Sequence, residues 1–316
     1  MPDLDRVVTL GDISLRLVAA DAAGAAALEL SVGPAGVSAP GAAAPVGTVR
    51  AGGAAPTLPE RPPDQVYDDR RVWLEHDDLL FLDLTGVVAR SGPTTATIGG
   101  GPGRELAALG IRRLFLCAVG HLLGFQDRLL VHGGAVVVDG RTVLVLGESG
   151  RGKSTVALAA LEQGWPVLSD DLVILRRAED GIDVAGVPRP PTVPTDLQAE
   201  VEGAARPVAD DPRGRAQLAP DVLTGGFHRV GAVVVVGHGS EPLGELAPVA
   251  GRHVHLVLVG SFPAASHPDQ LRRAHPVFAE LTRLPSWALR HGTDAARRLA
   301  STAAAIRGLS LAATRR

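Results

Sequence analysis

Residues 129–175 read LLVHGGAVVVDGRTVLVLGESGRGKSTVALAALEQGWPVLSDDLVIL, and the rest of the chain is organised around them. At their centre, Gly147-Glu148-Ser149-Gly150-Arg151-Gly152-Lys153-Ser154 fits the pattern G-x-x-x-x-G-K-[ST]. The glycines let successive backbone N–H groups turn inward around phosphate oxygens, the lysine reaches the β- and γ-phosphates, and the serine hydroxyl sits on Mg²⁺. The positive end of the following helix, beginning at Ser154-Thr155, favours the same anion. The pattern needs a strand before it and a helix after it. Thr142–Leu146 is a β-branched, apolar run, and Ser154–Gln163 is rich in alanine and leucine and stopped by Gly164.

Composition supports this reading. Lys153 is the only lysine of the chain, and the other thirty of its 31 basic residues are arginine. A chain that uses arginine elsewhere keeps one compact ammonium where a planar guanidinium would not fit a phosphate cradle. Upstream, His132–Val138 and Thr142–Leu146 are joined through Asp139-Gly140, a pair that suits a type I′ turn because both central residues need positive φ. A hairpin therefore feeds the loop. Downstream, a short strand over Trp165–Leu168 ends in Ser169-Asp170-Asp171, and a second apolar run follows at Leu172–Leu175. Two carboxylates at a strand end near a phosphate loop can divide labour, one on a metal and one on a substrate hydroxyl.

These residues, His132-Gly133, GESGRGKS, Gly164 and Asp170-Asp171 in that order, resemble the C-terminal domain of HPr kinase/phosphorylase, a relative of phosphoenolpyruvate carboxykinase in fold. The resemblance implies that Lys153 and the amides of residues 147–155 hold ATP, with Ser154 and Asp171 on Mg²⁺. It implies further that Asp170 takes the proton of the acceptor hydroxyl, with His132 nearby. It covers about fifty residues; the family's glycine-rich G-[IL]-R-G-[LI]-G signature is not found beyond them. The chain looks more like the shorter relatives that accompany peptide modification, whose acceptors are a peptide serine or a small hydroxyl compound. The family assembles as rings of subunits, so the resemblance admits a homo-oligomer.

At 316 residues, 46% hydrophobic and 21% charged, the chain is long enough for two cores. A net charge of −3 gives no push toward nucleic acid or an anionic membrane. One cysteine, Cys117, excludes a disulfide framework and reads as an inert thiol in a helix. The start, MPDLDRVVTL, does not read as a signal peptide, and no apolar run is long enough to span a bilayer. A cytoplasmic protein is expected.

The pattern predicts an α/β protein: a P-loop kinase domain over 105–316, with a mixed sheet and a helical C-terminal part, and a small mainly-β domain over 1–104. In the latter, Ile13–Val18, Ala26–Val32, Val72–His76, Leu79–Leu84 and Thr94–Ile98 read as strands of an antiparallel sheet, with a turn at Asp77-Asp78. Gly33–Pro63, rich in Gly, Ala and Pro, reads as loop or partly disordered. Gly99–Gly103 marks the boundary, and Arg104–Phe125 has helical spacing.

Further on, Ile182–Val187, Gly231–Val236 and His253–Val259 read as strands and Asp269–Arg307 as helical. The alternating His253 and His255 lack a third metal ligand near them in sequence. An arginine assisting phosphoryl transfer is sought among Arg189, Arg206, Arg213 and Arg215; Arg213 and Arg215 are favoured over Arg206 because they flank Gly214 before the next element. The expected function is an ATP- and Mg²⁺-dependent kinase acting on a hydroxyl, serine in a peptide or protein or in a small serine-like molecule. The alternative is a nucleotide-binding scaffold without phosphotransfer. A transport-type ATPase is disfavoured, since neither an LSGGQ-like signature nor a long apolar strand ending in Asp-Glu is present.

Overall fold

The computed structural model describes all residues except 1–3, 33–43, 102, 190, 194–196, 198–206, 211–215, 219–221, 241–243, 263–266, 293 and 314–316. The chain divides into two compact units, 1–130 with 262–274, and 131–261 with 275–316. It is an α/β protein with mixed sheets.

The first unit contains β1 (Asp5–Leu10), β2 (Ile13–Ala19), α1 (Ala22–Val32), β3 (Gly47–Ala51), β4 (Gln65–Val66), β5 (Arg70–Glu75), β6 (Asp78–Asp83), β7 (Val87–Ser91), β8 (Thr95–Gly100) and α2 (Arg104–Gly124). Its eight strands lie in the order β1-β2-β3-β8-β7-β6-β5-β4. The sheet is mixed rather than antiparallel: β2–β3 and β3–β8 are parallel pairs. A parallel neighbour needs a crossover, and α1 supplies it between β2 and β3.

Three expectations are corrected here. Ala26–Val32, read as a strand, is the end of α1, an alanine- and leucine-rich helix whose start is fixed by Asp21 accepting a 2.8 Å hydrogen bond from the Gly24 amide. Within the segment read as loop, Gly47–Ala51 is a central strand, with Val49 and Ala51 fully buried. The boundary expected at 104/105 falls elsewhere, because α2 packs on α1 and on β6, β7 and β8 through buried Ile111, Leu114, Phe115 and Leu122. Cys117 lies buried in this helix, and burial pushes its thiol pKa up.

From β9 (Leu129–Val138) onward come β10 (Arg141–Leu146), α3 (Lys153–Glu162), β11 (Val167–Ser169), β12 (Leu172–Ala178), β13 (Gly181–Gly186), β14 (Thr192–Val193), β15 (Pro207–Asp210), β16 (Ala216–Leu218) and β17 (His228–His238). β18 (Glu245–Pro248), α4 (Gly251–Gly260), α5 (Pro268–Leu281), β19 (Ser286–His291) and α6 (Ala295–Ala313) complete the chain. The sheet runs β10-β9-β12-β13-β17-β19-β18, and a further parallel pairing of β10 with β17 closes five strands into a circuit. β9 and β10 form the expected hairpin, with Asp139 and Gly140 at φ 48° and 76°. On one face, Val143, Val145, Val234, Val236 and Leu289 pack with Val156, Ala157 and Ala160 of α3 and Ile306 of α6. Each such valine, leucine or isoleucine side chain contributes about 1.5–3 kcal/mol on burial.

Two more expectations are corrected. His253–Val259 belongs to helix α4, not to a strand: Val254 and Leu258, four apart, are its buried residues. Inside the segment read as helical, Ser286–His291 is strand β19, parallel to β17.

Candidate active site

The loop between β10 and α3 is built by local backbone geometry. Gly147 and Gly152 have φ of 149° and 107°, values that side chains disfavour. A Cβ on Gly147 would press on the backbone of Val236, and one on Gly152 would run into the ring of His291. The loop thus sits tightly on the ends of β17 and β19. Lys153, 6% exposed, turns its Nζ back to donate to the carbonyls of Gly147 (2.8 Å) and Glu148 (3.0 Å). Burial lowers its pKa, partly offset by Asp171 and Asp170.

The carboxylates arrive on the turn after β11, which pairs with β9 beside the loop. Asp170 is 4% exposed; its Oδ2 accepts hydrogen bonds from Ser154 Oγ (2.9 Å) and the Thr192 amide (3.3 Å). Burial, and then the charge of Asp171, raise its pKa to about 6. Asp171 faces the other way. One oxygen lies 3.2 Å from His132 Nδ1 and the other accepts a 2.5 Å hydrogen bond from Arg189 Nη1. Burial holds His132 below its ordinary pKa, against the opposing pull of Asp171. It is thereby favoured as a neutral imidazole. The contacts are the reverse of the division expected from the sequence, which put Ser154 with Asp171 and His132 with Asp170.

These groups line one cavity of about 410 Å³. The carboxylates, Arg189 and His132 line it together with Ser149, Gly150 and Gly152–Thr155 of the loop and with His238, His291 and Arg298. His238 Nε2 is 2.9 Å from the Gly150 carbonyl oxygen. His291 is held by a 3.1 Å contact of its Nδ1 with Thr302 Oγ1, and burial lowers its pKa to about 4. The sequence reading did not single out His238, His291 or Arg298. Of the four candidate arginines, Arg189 is in the site, while Arg206, Arg213 and Arg215 lie outside the described residues.

The donors fit a divalent cation of the Mg²⁺ type. Ser154 Oγ and Asp170 Oδ2 are hard oxygens, and positive charge would relieve the buried Asp170 carboxyl, whose pKa is raised by burial and by the adjacent Asp171. Mg²⁺ needs only one or two carboxylates, with phosphates and water completing its shell. Among the described residues no group of three or more His, Cys, Asp or Glu is placed to hold a metal, so His253 and His255 do not form one.

A strand, a glycine-rich turn with one lysine, and a helix whose N-terminus faces a polar cavity make up a P-loop. Comparison with known proteins carries this one step further. The chain is 38% identical over 61 residues to HPr kinase/phosphorylase of Lachnoclostridium phytofermentans, covering 19% of this chain and 20% of that protein. It is 45% identical over 51 residues to the same enzyme of Chlorobium limicola (16% of each) and 50% over 46 residues to that of Chlorobium chlorochromatii (15% and 14%). The chain therefore spans about a fifth or less of the length of these relatives. The HPr(Ser) kinase/phosphatase structure from Coxiella burnetii aligns over 58% of this chain and 92% of that one at 14% identity; its TM-score of 0.31 is too low to bear on the fold. No family model matches. The chain carries an HPr kinase-like P-loop domain. No helix among its described residues is long and apolar enough to cross a membrane.

Proposed function

We propose that the protein is an ATP- and Mg²⁺-dependent kinase that moves the γ-phosphoryl group to a hydroxyl, carried by a serine of a peptide or protein or by a small serine-like molecule. The observation that carries this reading is the split of the carboxylate pair, Asp170 on the loop serine and Asp171 on His132 and Arg189 at the cavity. A protein that only binds nucleotide has no need of a second carboxylate held apart from the metal side. Phosphoryl transfer needs both, because catalysis consists of positioning and of charge stabilisation.

In this reading Lys153 and the amides of Gly150 to Thr155 hold the phosphates, and Ser154 with Asp170 hold Mg²⁺, which when bound supplies positive charge against the phosphate oxygens. Asp171 accepts the proton of the acceptor hydroxyl as the new O–P bond forms. The bond between the γ-phosphorus and the bridging oxygen breaks, and ADP leaves with the electron pair. His132 orients Asp171, and Arg189 offsets negative charge on the transferring group. This reading keeps Lys153, His132, Asp170 and Asp171 as the site and exchanges the roles of the two aspartates. A cytoplasmic location and a homo-oligomer accord with this reading.

Phosphorus NMR of the protein with ATP and Mg²⁺, run alone, with free serine and with serine peptides, tests it. A new phosphoester resonance matched by ADP, and lost in Asp171→Asn, is expected. Tight nucleotide binding with no phosphoester across the panel would replace the kinase with the scaffold.

A further inference from the structure

A loop that turns its amides inward around phosphate turns carbonyls outward, and something must receive them. Gly150 and Gly152 have φ of 79° and 107°, the left-handed values that let peptide planes turn over in such a cradle. Two histidines meet the loop at these glycines. His238 and His291 end β17 and β19 and are direct partners in the parallel register of those strands. β17 in turn lies parallel to β10, from which the loop springs.

The Gly150 carbonyl oxygen lies 2.9 Å from His238 Nε2. A carbonyl can only accept, so Nε2 carries the proton and donates it. On the other side of the same peptide, the Arg151 amide points toward the Glu148 carbonyl (3.3 Å), which also receives Lys153 Nζ (3.0 Å). Holding the carbonyl therefore fixes which way the amide faces.

His291 is set by its other neighbour. Its Nδ1 is 3.1 Å from Oγ1 of Thr302, a fully buried residue of α6. Among the described residues Nδ1 is the one acceptor this hydroxyl meets, so the hydroxyl donates there and the ring keeps its proton on Nε2. That nitrogen is buried against Gly152, where a Cβ would collide with it, and makes no well-formed hydrogen bond. A buried N–H without a partner calls for an explanation. Beside a phosphate cradle it offers partial positive charge where the other tautomer would offer a lone pair.

We propose that His238 and His291 are positioning residues of the phosphate site. Each presents an N–H to the loop, at Gly150 and at Gly152, so that the loop amides are held toward phosphate before nucleotide arrives. Thr302 fixes the His291 tautomer that this requires. The proposal rests on the nucleotide-binding part of the kinase reading and not on the transfer step.

The experiment measures by calorimetry the Kd of ATP and of inorganic tripolyphosphate, each with Mg²⁺, for the full chain and for His238→Ala, Thr302→Val and Thr302→Ser. His238 is exposed, so its truncation spares the core. Both Kd values should rise by the same factor, roughly 3–10-fold, in His238→Ala and in Thr302→Val. Thr302→Ser restores the hydroxyl and should bind as the parent does. Nitrogen-15 NMR, with the His291 signals assigned by their loss in His291→Gln, should show the Nε2–H tautomer in the parent and a shift toward Nδ1–H in Thr302→Val. A threonine that only filled space would not produce that shift.

Weaker binding of ATP with unchanged tripolyphosphate would overturn the proposal by placing the rings on the nucleoside. Parent-like affinity in either His238→Ala or Thr302→Val, or His291 found as Nδ1–H in the parent, would overturn it as well. If Thr302→Val does not fold, His238→Ala and the parent's tautomer decide. A parent chain that binds neither ligand removes the phosphate site and the proposal together. Variants that weaken both ligands, in a protein that phosphorylates no hydroxyl, uphold the proposal and discard the kinase reading alone.

Discussion

Ser154 Oγ donates a 2.9 Å hydrogen bond to Asp170, while His132 Nδ1 lies 3.2 Å from the adjacent Asp171. Two consecutive carboxylates therefore serve two different partners across one turn of chain. The turn makes this possible: the Ser169 hydroxyl accepts the amides of Asp171 (3.2 Å) and Leu172 (3.1 Å), ending β11 and swinging the second side chain out of line with the first. Asp170→Asn should raise the Mg²⁺ concentration needed for half-maximal activity. Asp171→Asn should lower kcat by roughly 10²-fold or more with little change in Mg²⁺ requirement or nucleotide Kd. The opposite pattern in a Mg²⁺ titration of the two variants would return the roles to the order expected from the sequence.

The raised pKa of Asp170 makes a stability prediction with a definite sign. An acid whose pKa rises from 3.8 to about 6 on folding binds more protons folded than unfolded, so stability falls as pH climbs between these values. The cost is absent below the lower value and complete above the upper one. Without nucleotide or metal, Asp170→Asn should gain on the order of 3 kcal/mol over the parent chain at pH 7.5 and almost nothing at pH 3. Thermal melts of both proteins at the two pH values measure this, and equal shifts at both would remove buried charge as the cause.

Lys153 offers a sharper test of the phosphate site because no other lysine can stand in for it. Lys153→Ala removes a charge-assisted contact of about 1.5–3 kcal/mol, so nucleotide affinity should fall roughly 10–100-fold by calorimetry. Lys153→Arg should recover little, since its planar head does not fit where Nζ now meets two loop carbonyls.

The phosphate loop, the Asp139-Gly140 hairpin and the Asp170-Asp171 pair were legible because their signals are local: glycine spacing, a turn dipeptide, adjacent charges. Arg189 was legible only as one of four arginines, since its partner Asp171 is eighteen residues away. His238 was not legible at all; it reaches Gly150 across 88 residues, and nothing local marks it. The misread elements share a different cause. HVHLVLV from 253 to 259 is rich in β-branched residues and alternates, which suggests a strand. Its Val254 and Leu258, spaced by four, turn out to face the core. In Ala22–Val32 the helical signal was Asp21 as a cap, outweighed by a run of small residues that fits either structure. Ser286–His291 is a strand because β17 offers it a parallel edge, a tertiary cause.

Gly152 ties the loop to that same strand. Its φ of 107° and the ring of His291 against its Cα both exclude a side chain. Gly152→Ala should destabilise the fold by roughly 1–3 kcal/mol from backbone strain alone and should also weaken nucleotide binding, because the loop amides shift. Adding His291→Ala removes the steric part and leaves the strain. The double variant should therefore recover some stability over Gly152→Ala while staying below the parent. Urea unfolding of the four proteins in the cycle separates the two terms. A double variant as stable as His291→Ala alone would mean that contact with the ring, and not the left-handed backbone, is what reserves this position for glycine.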